Sequence, residues 1–257
     1  MKITNKAILL LITLIALFSL SGCEDSYAME GMPHAYEIRA RIRDDMPEYR
    51  FVAKGLIYQR EHDNICYITG LDIYNEAGRS VFSTLISPTG NVSRAQGTTT
   101  NTMGLKVVDT NFDGYKDVIL LRDNTGARGV DWCRCWLWDK ETSSFVYEDS
   151  FFIGNPHFEN EKKYIYSFGG TTIRGASIYK FIDDKFVCTN YLHYDRKSLI
   201  EQKFINGELQ TVREVFFDED FQKFREQLKQ EVERYRNDEF WNLYHPRWEG
   251  YWSSSVE

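Results

Sequence analysis

Hydrophobic and polar positions alternate along most of the chain. Tyr36, Ile38, Ala40 and Ile42 share one side of a period-two stretch whose other side carries Glu37, Arg39, Arg41 and Arg43. That is the pattern of a strand with one buried face, because successive side chains point to opposite sides of a sheet. Arg50 to Tyr58, Ile65 to Tyr74 and Val81 to Ile86 continue it, with Gly55, Gly70 and Asn75-Glu76-Ala77-Gly78 read as bends or turns. Ser87 to Met103 is polar, rich in threonine and glycine, and reads as a long loop. Beyond it, strands are expected at Leu105 to Val108, Val118 to Leu121 and Trp132 to Trp138, with turns at Asp123 to Gly129 and Asp139 to Ser144. Shorter candidates follow at Phe145 to Tyr147, Lys163 to Phe168, Thr172 to Ile182, Lys185 to Leu192, Ser198 to Ile205 and Gln210 to Phe217. Many short strands spaced by Gly, Asn and Asp predict a mostly β fold. The candidate architectures are a β-propeller-like body, a barrel or a sandwich of short antiparallel strands.

The period changes at Asp218. Phe221, Phe224, Leu228, Val232 and Tyr235 recur at three and four among Lys, Arg, Glu and Gln, which predicts a C-terminal amphipathic α-helix packed on the sheet. Trp248, Tyr251 and Trp252 then follow, too many large aromatics to leave in water, so the tail either folds back or forms an interface.

The front of the chain obeys a different rule. Lys2 and Lys6 precede an apolar run from Ala7 to Leu20, too short for a comfortable membrane span and ordered as a secretory signal is. The run ends in Leu20-Ser21-Gly22-Cys23, which resembles the lipobox of bacterial lipoproteins. The resemblance implies cleavage before Cys23, a lipid on that residue, and a cell-envelope location. Glu24 in second place favours the outer membrane, facing the periplasm. The expected layout is residues 1–22 as signal, 23–34 as tether, 35–217 as one β domain, and 218–257 as helix and aromatic tail.

Charge changes the picture modestly. The formal net charge is −7, and loss of the signal removes two lysines and no acids. Nucleic acid is therefore not an expected partner. Lipidation of Cys23 would leave Cys66, Cys133, Cys135 and Cys188, an even set suited to disulfides in an oxidising compartment. Cys133 and Cys135 share one face of a strand and would pair more readily with Cys66 and Cys188 than with each other, in a connectivity that sequence leaves open. A zinc site is a weaker reading of the single C-x-C.

Asp109 to Asp117, D-T-N-F-D-G-Y-K-D, is the densest candidate chemistry. Asp109, Asn111 and Asp113 place oxygens at alternate positions, Tyr115 can add its carbonyl, and Asp117 can close a shell while Gly114 permits the turn. Hard oxygen donors in that spacing point to Ca2+. An EF-hand would carry glutamate at its twelfth loop position and flanking helices, whereas this chain has Leu120 there and strand-like flanks. An Asx-rich surface turn uses the same residue types, but three carboxylates and an amide in this order go beyond turn chemistry. An ion held by one short segment would pin two strands together rather than take part in catalysis.

This loop resembles the FG-GAP calcium loops of integrin-type propellers. The wider series of Asp109 to Leu121, Trp136-Leu137-Trp138-Asp139-Lys140-Glu141-Thr142-Ser143-Ser144-Phe145, Asn155-Pro156-His157-Phe158, Ser167, and Tyr179-Lys180-Phe181 resembles a bacterial envelope family. Its members include a lipoprotein immunity protein of a type IV secretion system, an inhibitor of lysozyme-like peptidoglycan hydrolases. The resemblance implies a calcium-binding, propeller-like fold and a protein partner. Trp138 stands where the family has tyrosine, and Ser143 where it has glycine.

Catalytic motifs are sparse. Ser177-Ile178-Tyr179-Lys180 matches S-x-x-K, but in strand-like alternation and without its companion motifs, and His34, His62, His157, His193 and His245 are scattered. No enzymatic activity is expected. By resemblance to lysozyme inhibitors, the candidate partner-binding loop is Ser167, Gly169 and Gly170, flanked by Tyr166 and Tyr179. An ordinary Gly-Gly hairpin turn is the competing reading. The second functional reading is a structural or assembly lipoprotein that docks another envelope protein through the C-terminal segment, and the third is an envelope hydrolase with dispersed carboxylates.

Overall fold

A computed structural model describes residues 31–59, 64–86, 93–96, 100–125, 130–168, 174–194 and 197–218, with positions 220, 222, 223, 226, 227, 230 and 231 beyond them. From residue 32 on they belong to the compact unit Met32–Glu257. The signal, Cys23, most of the tether and the aromatic tail lie outside the described residues.

The strands are β1 (Met32–Arg41), β2 (Glu48–Gln59), β3 (Asn64–Tyr74), β4 (Ser80–Leu85), β5 (Ser93–Gln96), β6 (Lys106–Val108), β7 (Asp117–Thr125) and β8 (Val130–Asp139). They continue with β9 (Ser144–Glu148), β10 (His157–Glu159), β11 (Tyr164–Phe168), β12 (Arg174–Ile182), β13 (Lys185–Tyr194), β14 (Ser198–Ile205) and β15 (Glu208–Phe216). They form three antiparallel sheets whose neighbours mostly follow chain order: β1-β2-β3-β4 with β5 added beside β3, β6-β7-β8-β9, and β10 through β15. The fold is mostly β and sandwich-like.

Packing follows the hydrophobic pattern. In β1 the residues Tyr36, Ile38 and Ala40 turn toward the core while the charged residues between them are exposed, as alternation requires. The run Val118-Ile119-Leu120-Leu121 has no polar alternate and is fully buried. The reason is that its sheet has both faces covered. Val118 and Leu120 join Trp136, Trp138 and Phe145 against Phe51, Leu71 and Ile73 of the first sheet. Ile119 joins Cys133 and Cys135 on the other side, with Ile165 and Phe186 of the third. Edge-to-face contacts of Trp138 with Tyr49 and of Phe145 with Phe51, each at 6.0 Å, tie the first two sheets together.

Turn chemistry sets the registers. Asn206 and Gly207 take φ of 53° and 93° between β14 and β15, the left-handed pair a two-residue hairpin needs. Asp183 and Asp184 do the same between β12 and β13, at φ 49° and 59°.

Several expectations are corrected. Gly55 and Gly70 lie inside strands, beside a bulge between Lys54 and Gly55. A side chain on Gly55 would meet the Tyr67 carbonyl at 2.7 Å and the Cys66 sulfur at 2.8 Å, so glycine there serves close packing rather than a bend. The long loop from Ser87 contains β5, which pairs with β3, and a short β10 pairs with β11 where the alternation shows no strand. The disulfides expected among Cys66, Cys133, Cys135 and Cys188 are not formed, and all four are free thiols. Cys133 and Cys135 do share a face, but Cys66 sits in the core on the opposite side of the middle sheet. Disulfide geometry demands close, aligned Cβ atoms, which alternation alone cannot supply. Burial pushes Cys66 and Cys188 up to about 11 and Cys133 to about 12, so these thiols are held in their unreactive neutral form.

The C-terminal helix falls largely outside the described residues. Those described show Asp220 accepting amide hydrogen bonds from Gln222 and Lys223, and Glu231 ion-paired with Arg213 of β15.

Candidate functional site

The acidic stretch is the connection from β6 to β7. Because these strands are adjacent and antiparallel, the chain must reverse between Val108 and Asp117, which pair directly. Phe112 and Gly114 make the reversal at φ 61° and 91°. A side chain on Gly114 would meet nothing, so glycine is there for its backbone freedom alone.

The polar side chains curl back on the loop's own amides. Asp109 accepts from the N–H of Asp113 at 3.1 Å and of Gly114 at 2.9 Å. Asn111 Oδ1 accepts from Asp113 N–H at 3.2 Å, and Asp113 Oδ1 from Tyr115 N–H at 2.8 Å. Three oxygen-bearing side chains are thereby oriented by one short segment. Burial raises the Asp109 carboxyl above its ordinary range, with the charge of Asp113 adding to it against the hydrogen bonds from Gly114 and Asp113.

Asp117 is set apart from that group. Its Oδ2 accepts from Thr110 N–H at 2.8 Å and Thr110 hydroxyl at 2.5 Å, and its Oδ1 from Trp138 N–H at 2.9 Å. Both Asp117 and Thr110 are buried. Burial pushes the Asp117 carboxyl up to about 7 despite these hydrogen bonds, and Asp113 adds a smaller push. A carboxylate has about four acceptor sites, of which these donors take three.

Residues outside the motif complete the neighbourhood. Tyr115 lies under two cations, the Arg43 guanidinium and the Lys140 ammonium, each 4.4 Å from its ring centroid. Lys140 also stands 3.7 Å from Asp113 Oδ2, and Arg43 donates to the Tyr115 hydroxyl. Lys116 N–H donates to the Ile42 carbonyl at 2.8 Å, which joins the loop to the end of β1. Sequence reading did not select Thr110, Lys140 or Arg43. Thr110 occupies a variable position of the motif, and the other two arrive from the turns after β1 and β8.

The donor chemistry fits a hard divalent ion. Carboxylate and amide oxygens gather on one loop, and the Lys140 ammonium stands 3.7 Å from one of them, Asp113 Oδ2. Among the described residues no group of three or more His, Cys, Asp or Glu closes on a common point, since Asp117 is turned to the core. The oxygens around the loop are those of Asp109, Asp113, Asn111 and the main chain.

The candidate partner-binding residues do not form one exposed patch. Ser167 is buried, with its hydroxyl donating to the Gly154 carbonyl. Tyr179 packs against Ile165 and Phe186 in the core, and burial pushes its phenol up to about 12. Tyr166 is half-buried and stacks on His157 at 4.8 Å. Gly169 and Gly170 lie outside the described residues.

No protein-family model matches the chain, and no curated protein matches it. Among solved structures, one described as "Structure of a Xanthomonas Type IV Secretion System related protein" is similar at a TM-score of 0.47 and 13% identity, over 71% of this chain and 99% of that one.

Proposed function

We propose that this chain is a calcium-stabilised binding protein of the bacterial cell envelope, lipid-anchored through Cys23 at the outer membrane, that engages and inhibits a peptidoglycan hydrolase without catalysis of its own. The observation that carries the calcium part is the convergence of Asp109, Asn111 and Asp113 on one turn whose last residue, Asp117, is tied into the core. Asp109, Asn111, Asp113 and the Tyr115 carbonyl are the proposed ligands. Asp117 adds at most one further oxygen and otherwise anchors the loop. An ion there would hold β6 to β7 and relieve the charge that burial disfavours on Asp109 and Asp117.

The envelope and inhibitor parts rest on the lipobox-like start and on the family resemblance of the series from Asp109 to Phe181. A propeller-like arrangement belongs to the same reading, since sequential antiparallel meanders are how propeller blades are built. The partner contact is proposed at the loop of Gly169 and Gly170 with Tyr166 beside it.

The test is calorimetric titration of calcium into chelated protein beginning at Asp25, beside an Asp113→Ala control, with inhibition of a lysozyme-like hydrolase assayed on both. Saturable binding lost in the control, together with inhibition, supports the whole reading. Binding without inhibition leaves the calcium part and favours the assembly-lipoprotein alternative. No binding removes the metal from it.

A further inference from the structure

We infer that residues 221–235 form an amphipathic helix that covers the outer face of the third sheet and is latched there by Glu231 on Arg213. Register distinguishes the two faces of that sheet. Ile165, Tyr179 and Phe186 pack into the core shared with the middle sheet. Ala176 and Ile178 alternate with Tyr179 along β12 and therefore face away from it. Leu192 pairs with Ala176, Glu201 with Leu192 and Arg213 with Glu201, and directly opposed residues share a face. Leu199, two residues before Glu201, lies on the same side.

This outer face is apolar and shut off from water. Ala176 is 2% exposed, Leu192 3% and Leu199 0%. Neither of the other sheets supplies the cover, because the middle one lies on the inner face and the first packs on the far side of the middle one. A buried sheet face requires a further layer. Glu231 belongs to that layer, since it is 8% exposed and ion-paired with Arg213 of this face. The Asp218 N–H donates to Gln227 Oε1 at 2.8 Å, which turns the chain back at the end of β15. The segment that follows Asp218 is thus the one that reaches the face.

The side of the segment that meets the sheet follows from the positions that do not. Asp220 Oδ1 accepts from the N–H of Gln222 at 3.0 Å and of Lys223 at 3.1 Å, the bonds a helix N-cap makes to its second and third residues. Gln222, Lys223, Glu226 and Gln230 are exposed, Gln227 is half-buried and Glu231 is buried. At about 100° per residue the four exposed positions fill one side of a helix. Phe221, Phe224, Leu228, Val232 and Tyr235 fall on the opposite side, with Glu231 at its border. A segment committed in this way is not a free docking arm. Any partner contact of the C-terminal end then falls beyond Tyr235, in the tail of Trp248, Tyr251 and Trp252. The inference rests on neither the calcium nor the hydrolase reading.

The experiment is amide hydrogen exchange, read by mass spectrometry, on the protein from Asp25 to Glu257 as wild type and as Leu228→Asp, Glu231→Lys and Glu226→Lys. In the wild type, amides of 224–235 are expected to exchange about a hundredfold or more slower than those after Pro246. Leu228→Asp should speed exchange about tenfold or more both in 221–235 and in β12 to β14, with β2 and β3 of the first sheet unchanged. Glu231→Lys sets two cations together on the covered face and should speed exchange in 221–235 about tenfold. Glu226→Lys makes the same chemical change on the exposed side and should leave exchange as it is. If Leu228→Asp disturbs the whole fold, the matched pair of lysine variants decides. Unprotected amides at 221–235 in the wild type, acceleration by Leu228→Asp confined to the helix, or equal effects of Glu226→Lys and Glu231→Lys would each overturn the assignment.

Discussion

Trp138 donates its backbone N–H to Asp117 Oδ1 at 2.9 Å, so the last residue of the acidic loop is fastened to the strand that carries the core tryptophans. Asp117→Ala would leave that donor and both Thr110 donors buried without acceptors, at about 1 to 3 kcal/mol for each. A loss of at least about 3 kcal/mol in urea-unfolding free energy is expected, measured in chelator so that no ion contributes. Asp139→Ala, in an exposed turn where the carboxylate accepts from Glu141 N–H at 2.9 Å and Thr142 hydroxyl at 2.6 Å, should cost no more than about 1 kcal/mol. Equal losses would show that burial around Asp117 is not what matters.

Lys140 is a built-in competitor for the loop. It lies 3.7 Å from Asp113 Oδ2 and is itself half-exposed, so the pair is worth no more than about 1 kcal/mol. Removing its charge with Lys140→Gln should strengthen calcium binding by up to about fivefold at low salt, with the gap closing as salt rises. Weaker binding in the variant would place Lys140 as a support of the loop and not a rival to the ion.

Ser143 adopts φ 49° in the turn between β8 and β9. A side chain there costs about 1 kcal/mol relative to glycine, which visits this region freely. Ser143→Gly should therefore raise thermal stability, net of the greater chain entropy glycine brings to the unfolded state. A lower midpoint would mean that the Ser143 side chain outweighs the strain.

Asp72 sets a pH dependence. Burial raises its pKa, but Lys54, the Ser83 hydroxyl at 2.7 Å and the Tyr74 hydroxyl at 3.1 Å outweigh it and bring the folded value below the ordinary 3.8. The stabilisation is thus fully present above the unfolded carboxylate value and is lost as pH falls through the folded one. Thermal midpoints of wild type and Asp72→Asn should differ at neutral pH and converge as pH falls below the ordinary carboxylate value of 3.8. A gap that stays constant as the pH falls would assign the effect to packing.

The sequence by itself determined the strand class and most strand positions, because a strand declares itself through neighbours two residues apart. The alternation of Tyr36, Ile38 and Ala40 and the unbroken run from Val118 to Leu121 are local signals, and burial follows them. The acidic turn was legible for the same reason, since its glycine and alternating oxygens fall within one loop. Tertiary structure decided everything that depends on which strands meet. It put β5 beside β3, where a polar stretch offers no period to read, and put glycine at position 55 because another strand passes too close for a side chain. It separated Cys66 from Cys133 and Cys135, turned Ser167 inward onto Gly154, and turned Asp117 toward Thr110 and Trp138. It also brought Arg122, Trp132 and Phe152 together from the bulge of β7, from β8 and from the segment after β9. Those contacts join residues distant along the chain, and their energies depend on register and on which face is covered, which no local period encodes.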